Sequence, residues 1–408
     1  MDLRARRKLA FVVERYGAEE STESGRRTRA LAAAVAARGH DVSVLTTCTR
    51  LPGEWRNELA QGESFLDGVR VVRFPTETER SVLGRHLSSR TWLARHPWGR
   101  DVWLDAVGPA SPAMVQYLHR LGALFDAVLF TGAWGPLPMR GARLVQTPIL
   151  APPPMDDPMR TLGHVPELLR GFRALALESD AQRDRLASEA GIAEQCDTFV
   201  IGACCEPLPS RARPFDVAQP VTDPFILYVG DNGSHVRRLV EAFRLFRDAH
   251  ALTPFEDDVD DTFEGQDLRL ILAGDFEHVH APEDRVVSLG PVDDAVRHAL
   301  LRKALVVVHC DARMQLPVSL IEAWSLGRPT LTLDAHPLLR ASLKSWASEY
   351  VCDHFAFASC AAALLSKRGP RAALAARALD HARRTYDPGR VVTAVEACID
   401  ALRAPAVS

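Results

Sequence analysis

Short, wholly apolar runs alternate along the chain with longer stretches in which apolar positions recur every three or four residues. Lys8-Leu-Ala-Phe-Val-Val13 is the first such run and reads as a buried strand. Arg26 to Arg38 is rich in Ala and Leu with its arginines on one side, and it ends at Gly39-His40 before the strand-like Asp41-Val-Ser-Val-Leu-Thr46. Strand, helix, strand with a glycine closing the helix is a βαβ unit, which requires a parallel sheet. Gly68 to Phe74, Ala127 to Thr131, Ala142 to Gln146 and Ala174 to Glu178 continue the strand-like series.

A second series begins after a proline-rich stretch containing Pro207, Pro209, Pro214, Pro220 and Pro224. Its expected strands are Phe225 to Val229, Leu268 to Ala273, Val286 to Leu289, Ala304 to Val308 and Pro329 to Leu333. Ala372 to Leu402 reads as helical, broken near Asp387-Pro388-Gly389. The expected organisation is therefore an N-terminal domain over 1–207, a semi-rigid linker over 208–224, a C-terminal domain over 225–385, and a helix over 386–408 packing back on the first domain. The fold class is α/β, with two Rossmann-like domains facing across a cleft at the carboxyl ends of their strands.

Composition narrows the function. A chain of 408 residues exceeds what one core usually organises. With 49 Lys plus Arg against 52 Asp plus Glu, the net charge of −3 argues against a nucleic-acid-binding protein. The apolar runs are far shorter than a membrane span and the N-terminus has no apolar signal core, so a cytoplasmic protein is expected. Eight cysteines without a Cys-x-x-Cys pair are expected to be reduced thiols, with no metal site. There is no His-Glu-x-x-His, phosphate-loop Gly-Lys-Thr/Ser or Gly-x-Ser-x-Gly.

Five stretches, in this order, carry a resemblance: Phe11 to Glu19, Ala36 to Cys48, Gly108-Pro-Ala-Ser-Pro-Ala113, Phe225-Ile-Leu-Tyr-Val-Gly230, and Leu320-Ile-Glu-Ala-Trp-Ser-Leu-Gly-Arg-Pro329. They resemble the GT-B glycosyltransferases, in particular the retaining family 4 type. The resemblance implies transfer of a sugar from a nucleotide sugar to a glycan or lipid-linked acceptor in polysaccharide assembly. It implies no cofactor beyond that donor.

The positions that bear the family's chemistry are altered. The glycine-rich donor loop is matched by Thr22-Glu23-Ser24-Gly25, where Gly25 alone keeps the close approach. A segment of His and acids facing the sugar is replaced by Ile149-Leu150-Ala151, none of which accepts a proton. After the first strand of the second domain, Asp231 stands where the family has arginine. Arg237 is then the candidate phosphate contact, with the amides of Gly230 and Gly233. Of the family's glutamate pair, Glu322 matches the ribose contact, while Met314 takes the first position. Gln315 and Ser319 lie at the helix start that would hold phosphate. No catalytic acid or base is assigned. The chain thus reads either as a glycosyltransferase with eroded motifs or as a non-catalytic pseudo-glycosyltransferase, partner to an active paralogue.

Residues 80–103 interleave arginines with Trp92, Trp98 and Trp103. This stretch is the candidate for peripheral contact with the inner face of a membrane or with an acidic acceptor. The acidic run Glu256 to Asp261 reads as a solvated loop.

Overall fold

The computed structural model describes residues 6–17, 23–50, 55–77, 100–131, 135–151, 165–188, 196–205, 223–230, 233–258, 261–274, 276, 285–310, 316–343 and 351–404. The chain forms two compact units, one of residues 1–206 with 388–408 and one of residues 207–387.

The sheet of the first unit comprises β1 (Lys8–Val12), β2 (Asp41–Thr47), β3 (Gly62–Leu66), β4 (Val69–Phe74), β5 (Ala127–Thr131), β6 (Pro148–Ala151), β7 (Ala174–Leu177) and β8 (Asp197–Val200). Their spatial order is β3-β4-β2-β1-β5-β6-β7-β8. All neighbours are parallel except the β3–β4 hairpin. Around the sheet lie α1 (Glu23–Ala37), α2 (Arg100–Val107), α3 (Pro112–Leu121), α4 (Pro136–Gly141), α5 (Val165–Leu169) and α6 (Asp180–Ala187). The inner strands are apolar on both faces because helices cover both.

The C-terminal helix, Pro388–Arg403, packs on α1 and gives Val391, Val395 and Ile399 to the core around Phe11, Val44 and Leu129. Polar contacts fix its register. Arg38 donates to the Gly389 carbonyl at 3.0 Å and to Thr393 Oγ1 at 2.6 Å. His40 Nδ1 accepts the Arg7 backbone N–H at 3.2 Å, so the ring proton is on Nε2 and is donated to Glu396 Oε1 at 3.0 Å.

One expectation for this unit changes. The stretch expected as a strand at Ala142 to Gln146 is a 3₁₀ turn, Ala142–Leu144, and the strand starts at Pro148. Arg143 and Gln146 are exposed, which an inner strand of this sheet does not allow, whereas proline is tolerated as the first residue of a strand. Of the arginines on one side of the first helix, Arg26 and Arg29 are buried.

The second unit has a six-stranded, all-parallel sheet of β9 (Phe225–Val229), β12 (Arg269–Ala273), β13 (Val286–Ser288), β14 (Val306–His309), β15 (Thr330–Leu333) and β16 (Val351–Cys352). Its order, β13-β12-β9-β14-β15-β16, is the 3-2-1-4-5-6 order of a Rossmann sheet. The helices are α7 (Gly233–His250), α8 (Asp294–Lys303), α9 (Val318–Ser325), α10 (Pro337–Leu343), α11 (Phe357–Leu365) and α12 (Arg368–Thr385).

The described part of the acidic run is the turn of a hairpin of β10 (Pro254–Glu256) and β11 (Thr262–Glu264), with Asp261 exposed and Glu256, Asp257 and Asp258 half-buried. Asp258 accepts from Arg328 at 2.7 Å and, through its other oxygen, from Arg371 at 3.1 and 3.2 Å. Glu256 accepts the Arg368 backbone N–H at 2.8 Å. Its charge therefore tethers the hairpin to the start of α12.

Candidate functional site

In the second unit the chain leaves β9 toward β12 and later returns to the opposite side of β9 as β14. Loops diverge at the carboxyl ends of β9 and β14, which is where Rossmann sheets bind ligands. Topology brings the start of α7 and the start of α9 to this edge, and with them Gly230, Gly233, Arg237, Ser319 and Glu322. Gln315 and Met314 lie outside the described residues.

β9 is wholly buried and is followed directly by Gly230. A Cβ at Gly230 would lie 2.5 Å from Tyr228 Oη, and one at Gly274 would lie 1.9 Å from the Gly230 carbonyl oxygen. These two glycines let the ends of β9 and β12 abut, and Gly274 has the positive φ of +154° that favours glycine. The consequence corrects one expectation: the Gly230 N–H donates to the Ala273 carbonyl at 3.2 Å and is engaged in the sheet, not offered to a phosphate.

Gly233 is the first residue of α7, so its amide is among the first four, which have no acceptor within the helix. Val236, Leu239, Phe243 and Phe246 bury the inner face of α7. Arg237 and Arg238 stand exposed in its second turn. Arg238 lies 3.6 Å from Asp334 Oδ2. On α9, which follows Pro317, Ser319 is buried in the first turn.

Glu322 is 1% exposed. Arg297, from the first turns of α8, clamps its carboxylate with Nε at 3.1 Å and Nη2 at 2.9 Å, a bidentate pair. Arg297 Nη1 also donates to Asp294 at 2.6 Å, and His298 Nε2 lies 3.8 Å from Glu322 Oε1. Burial alone would lower the Arg297 guanidinium, yet Glu322 and Asp294 hold it above its ordinary value. The Arg297 fork takes two of the carboxylate's acceptor directions.

The corresponding edge of the first unit is rich in arginine, a feature that sequence patterning did not single out. Arg15, Arg26 and Arg29 are buried around the end of β1 and the start of α1, and Arg27 pairs with Glu178. Arg29 donates to the Gly17 carbonyl at 3.0 Å, and Thr28 donates to the Ser24 carbonyl at 2.8 Å, its Oγ1 lying 2.8 Å from that of Thr131. The available signal was Arg26-Arg27-Thr28-Arg29 at a helix start directly after a strand. Gly25 lies buried in this first turn of α1. Ile149 and Leu150 are core residues of β6.

Of the arginine- and tryptophan-bearing stretch, residues 80–99 lie outside the described residues. Trp103 is 1% exposed in α2, so it belongs to the core and not to a surface patch. Among the described residues no helix is long and apolar enough to cross a membrane.

No protein-family profile and no curated protein matches the chain. Solved structures do. Sucrose-phosphate synthase from Thermosynechococcus elongatus aligns at a TM-score of 0.66 and 13% identity, over 97% of this chain and 99% of that one. An α,α-trehalose-phosphate synthase (UDP-forming) from Burkholderia vietnamiensis aligns at 0.59 and 12%, over 99% of each chain. WaaG, a glycosyltransferase involved in lipopolysaccharide biosynthesis, aligns at 0.54 and 15%, over 97% of this chain and 100% of that one. At such identities the likeness extends to the fold, and the fold of this chain is that of the GT-B glycosyltransferases.

Proposed function

We propose that the chain binds a nucleoside diphosphate sugar at the carboxyl edge of the second unit's sheet, as a glycosyltransferase-type protein serving a glycan or lipid-linked acceptor. The observation that carries the reading is the 3-2-1-4-5-6 sheet with the starts of α7 and α9 at its switch point. Helix N-termini there offer amides and a partial positive charge to a diphosphate, and the exposed Arg237 adds a fork for it. Ser319 and Glu322 are the polar groups for the ribose side.

A second reading, a non-catalytic pseudo-glycosyltransferase that binds a partner in glycan assembly, is favoured by specific observations. The Glu322 carboxylate is neutralised by Arg297, the Gly230 amide is engaged, and Ile149 and Leu150 leave no acid or base in β6.

Thermal shift of the full chain against a panel of UDP-, GDP- and ADP-sugars tests the binding. At ligand about 100-fold above Kd the expected stabilisation is about 2.7 kcal/mol. Arg237→Ala is expected to weaken binding about tenfold without lowering the melting temperature of the free protein. A flat response to every nucleotide sinks the nucleotide-binding reading and leaves the partner-binding one. Nucleotide release that requires an acceptor and is lost in Arg237→Ala sinks the non-catalytic one.

A further inference from the structure

We propose that the first unit carries a binding site for a sugar phosphate at the amino edge of its sheet. A cleft of about 350 Å³ lies where β5, β6 and β7 begin, walled on one side by the end of the C-terminal helix. That volume falls at the lower end of the range for small-molecule sites, about 300–1,000 Å³. Every lining residue belongs to the first unit, and the cleft lies at the opposite edge of the sheet from Arg26 and the start of α1. β5 has five residues at about 3.3 Å each, which puts about 16 Å between the two edges.

The residues that come just before the three strands supply most of the lining, and their backbone groups are used by the sheet. The Asp126 N–H donates to the Lys8 carbonyl at 2.7 Å, the Thr147 carbonyl accepts from Val128 at 3.0 Å, and the Arg173 N–H donates to the Pro148 carbonyl at 3.0 Å. What the cleft offers a ligand is therefore side chain. Asp126 is already engaged: Oδ2 accepts the Lys8 N–H at 2.8 Å and Oδ1 accepts from Arg403. Burial alone would raise the Asp126 carboxyl, yet these partners hold it below its ordinary value. Gln146, Thr147 and Arg173 differ, because none of their side chains is hydrogen-bonded or ion-paired among the described residues. Thr147 is only 5% exposed, and a hydroxyl so placed needs a partner from the contents of the cleft.

Charge selects the ligand. Arg403 is matched by Asp126, and Arg7 by Asp400. Asp197, at the start of the neighbouring β8, is exposed and forms no ion pair with Arg173. Arg173 is thus a cation left over in the cleft, and Lys8, whose Nζ stands 5.5 Å from the centroid of the Phe125 ring, adds a second beside it. A phosphate monoester carries about −1.5 to −2 charges at neutral pH, with three acceptor oxygens that suit the planar arginine fork. The Gln146 amide and the Thr147 hydroxyl then bond sugar hydroxyls, and Leu124, 59% exposed, covers a C–H face. The proposal does not depend on nucleotide binding, which is assigned to the second unit.

The test is calorimetric titration of the full chain with glucose 6-phosphate, glucose 1-phosphate and fructose 6-phosphate, and with glucose and inorganic phosphate as partial probes. At least one of the three sugar phosphates is expected to bind, and each partial probe about tenfold more weakly or worse. Arg173→Ala should weaken that binding about 10- to 100-fold and the isosteric Thr147→Val about 3- to 10-fold. Neither should lower the melting temperature of the free protein, since neither side chain is bonded within it. Arg237→Ala, in the second unit, should leave the affinity unchanged. No binding of any of the three at millimolar concentration overturns the proposal. So does binding that ignores Arg173→Ala, or that is lost in Arg237→Ala, which would put the phosphate at the nucleotide edge. Inorganic phosphate or glucose binding as tightly as the best sugar phosphate also overturns it, because the site would then read only one half of the ligand.

Discussion

Arg297 and Arg371 are both buried in the second unit, and they are held differently. Arg297 faces Glu322 between α8 and α9, with the two side chains 4% and 1% exposed. Arg371 is 2% exposed, but its partner Asp258 sits on a hairpin with 43% of its side chain open to water. In the first pair both charges have left solvent, and their mutual attraction, the bidentate geometry and the further hydrogen bond from Arg297 to Asp294 offset that loss. In the second, water still reaches one partner and softens the loss of either. The exposure of the carboxylate, more than that of the arginine, should therefore set how much each pair matters to the fold.

Glu322→Ala should have the largest effect. It leaves Arg297 buried with Asp294 as its remaining carboxylate partner, and the expected destabilisation by denaturant titration is about 3–5 kcal/mol. Replacing both members, Arg297→Met with Glu322→Leu, should recover most of it, because no uncompensated charge remains. A cost below about 1 kcal/mol for Glu322→Ala would mean the pair is hydrated, and the contrast with Asp258 would collapse. Asp258→Asn comes next, at about 1–3 kcal/mol, since Arg371 loses two charge-assisted hydrogen bonds but water can replace part of them. A cost for Asp258→Asn matching that of Glu322→Ala would show that carboxylate exposure does not separate the pairs.

The same physics explains what could be read from the chain in advance. Strands buried on both faces announce themselves as apolar runs, so β1, β2, β9 and β12 were legible and the α/β class with them. Most strands that escaped notice lack such runs: β3 is almost wholly exposed, β10 and β11 are short and acidic, and β16 has two residues; β8 escaped as well. Within the candidate site, local spacing placed Gly230, Gly233 and Glu322 at the starts of particular loops and helices. It could not show that the Gly230 amide is used by Ala273, nor that Glu322 is met by an arginine 25 positions earlier on another helix. Both are tertiary contacts between segments with no sequence periodicity in common. The buried Arg26 and Arg29 escaped for the converse reason: arginine at helical spacing normally marks the solvent face, and what buries them here is tertiary contact, as of Arg29 with the Gly17 carbonyl.

The smallest effect, and the baseline for the other two, is expected at Glu63 and Arg70 on the β3–β4 hairpin of the first unit. Arg70 donates Nε to Glu63 Oε2 at 3.0 Å, but the side chains are 30% and 52% exposed, so neither charge has left water. The Arg70 hydrogen bond holds the Glu63 carboxyl below its ordinary value. As pH falls, the unfolded chain therefore takes up this proton before the folded one does. The contribution of the pair is whole above the ordinary glutamate pKa and is lost as pH drops through the lower, folded value. Glu63→Gln should cost about 0.2–1 kcal/mol at neutral pH, less at high salt, and nothing in acid. A cost equal to that of Asp258→Asn, unchanged by salt, would show that exposed and half-buried pairs carry the same weight here, and that burial of the arginine adds nothing to the hold of its partner.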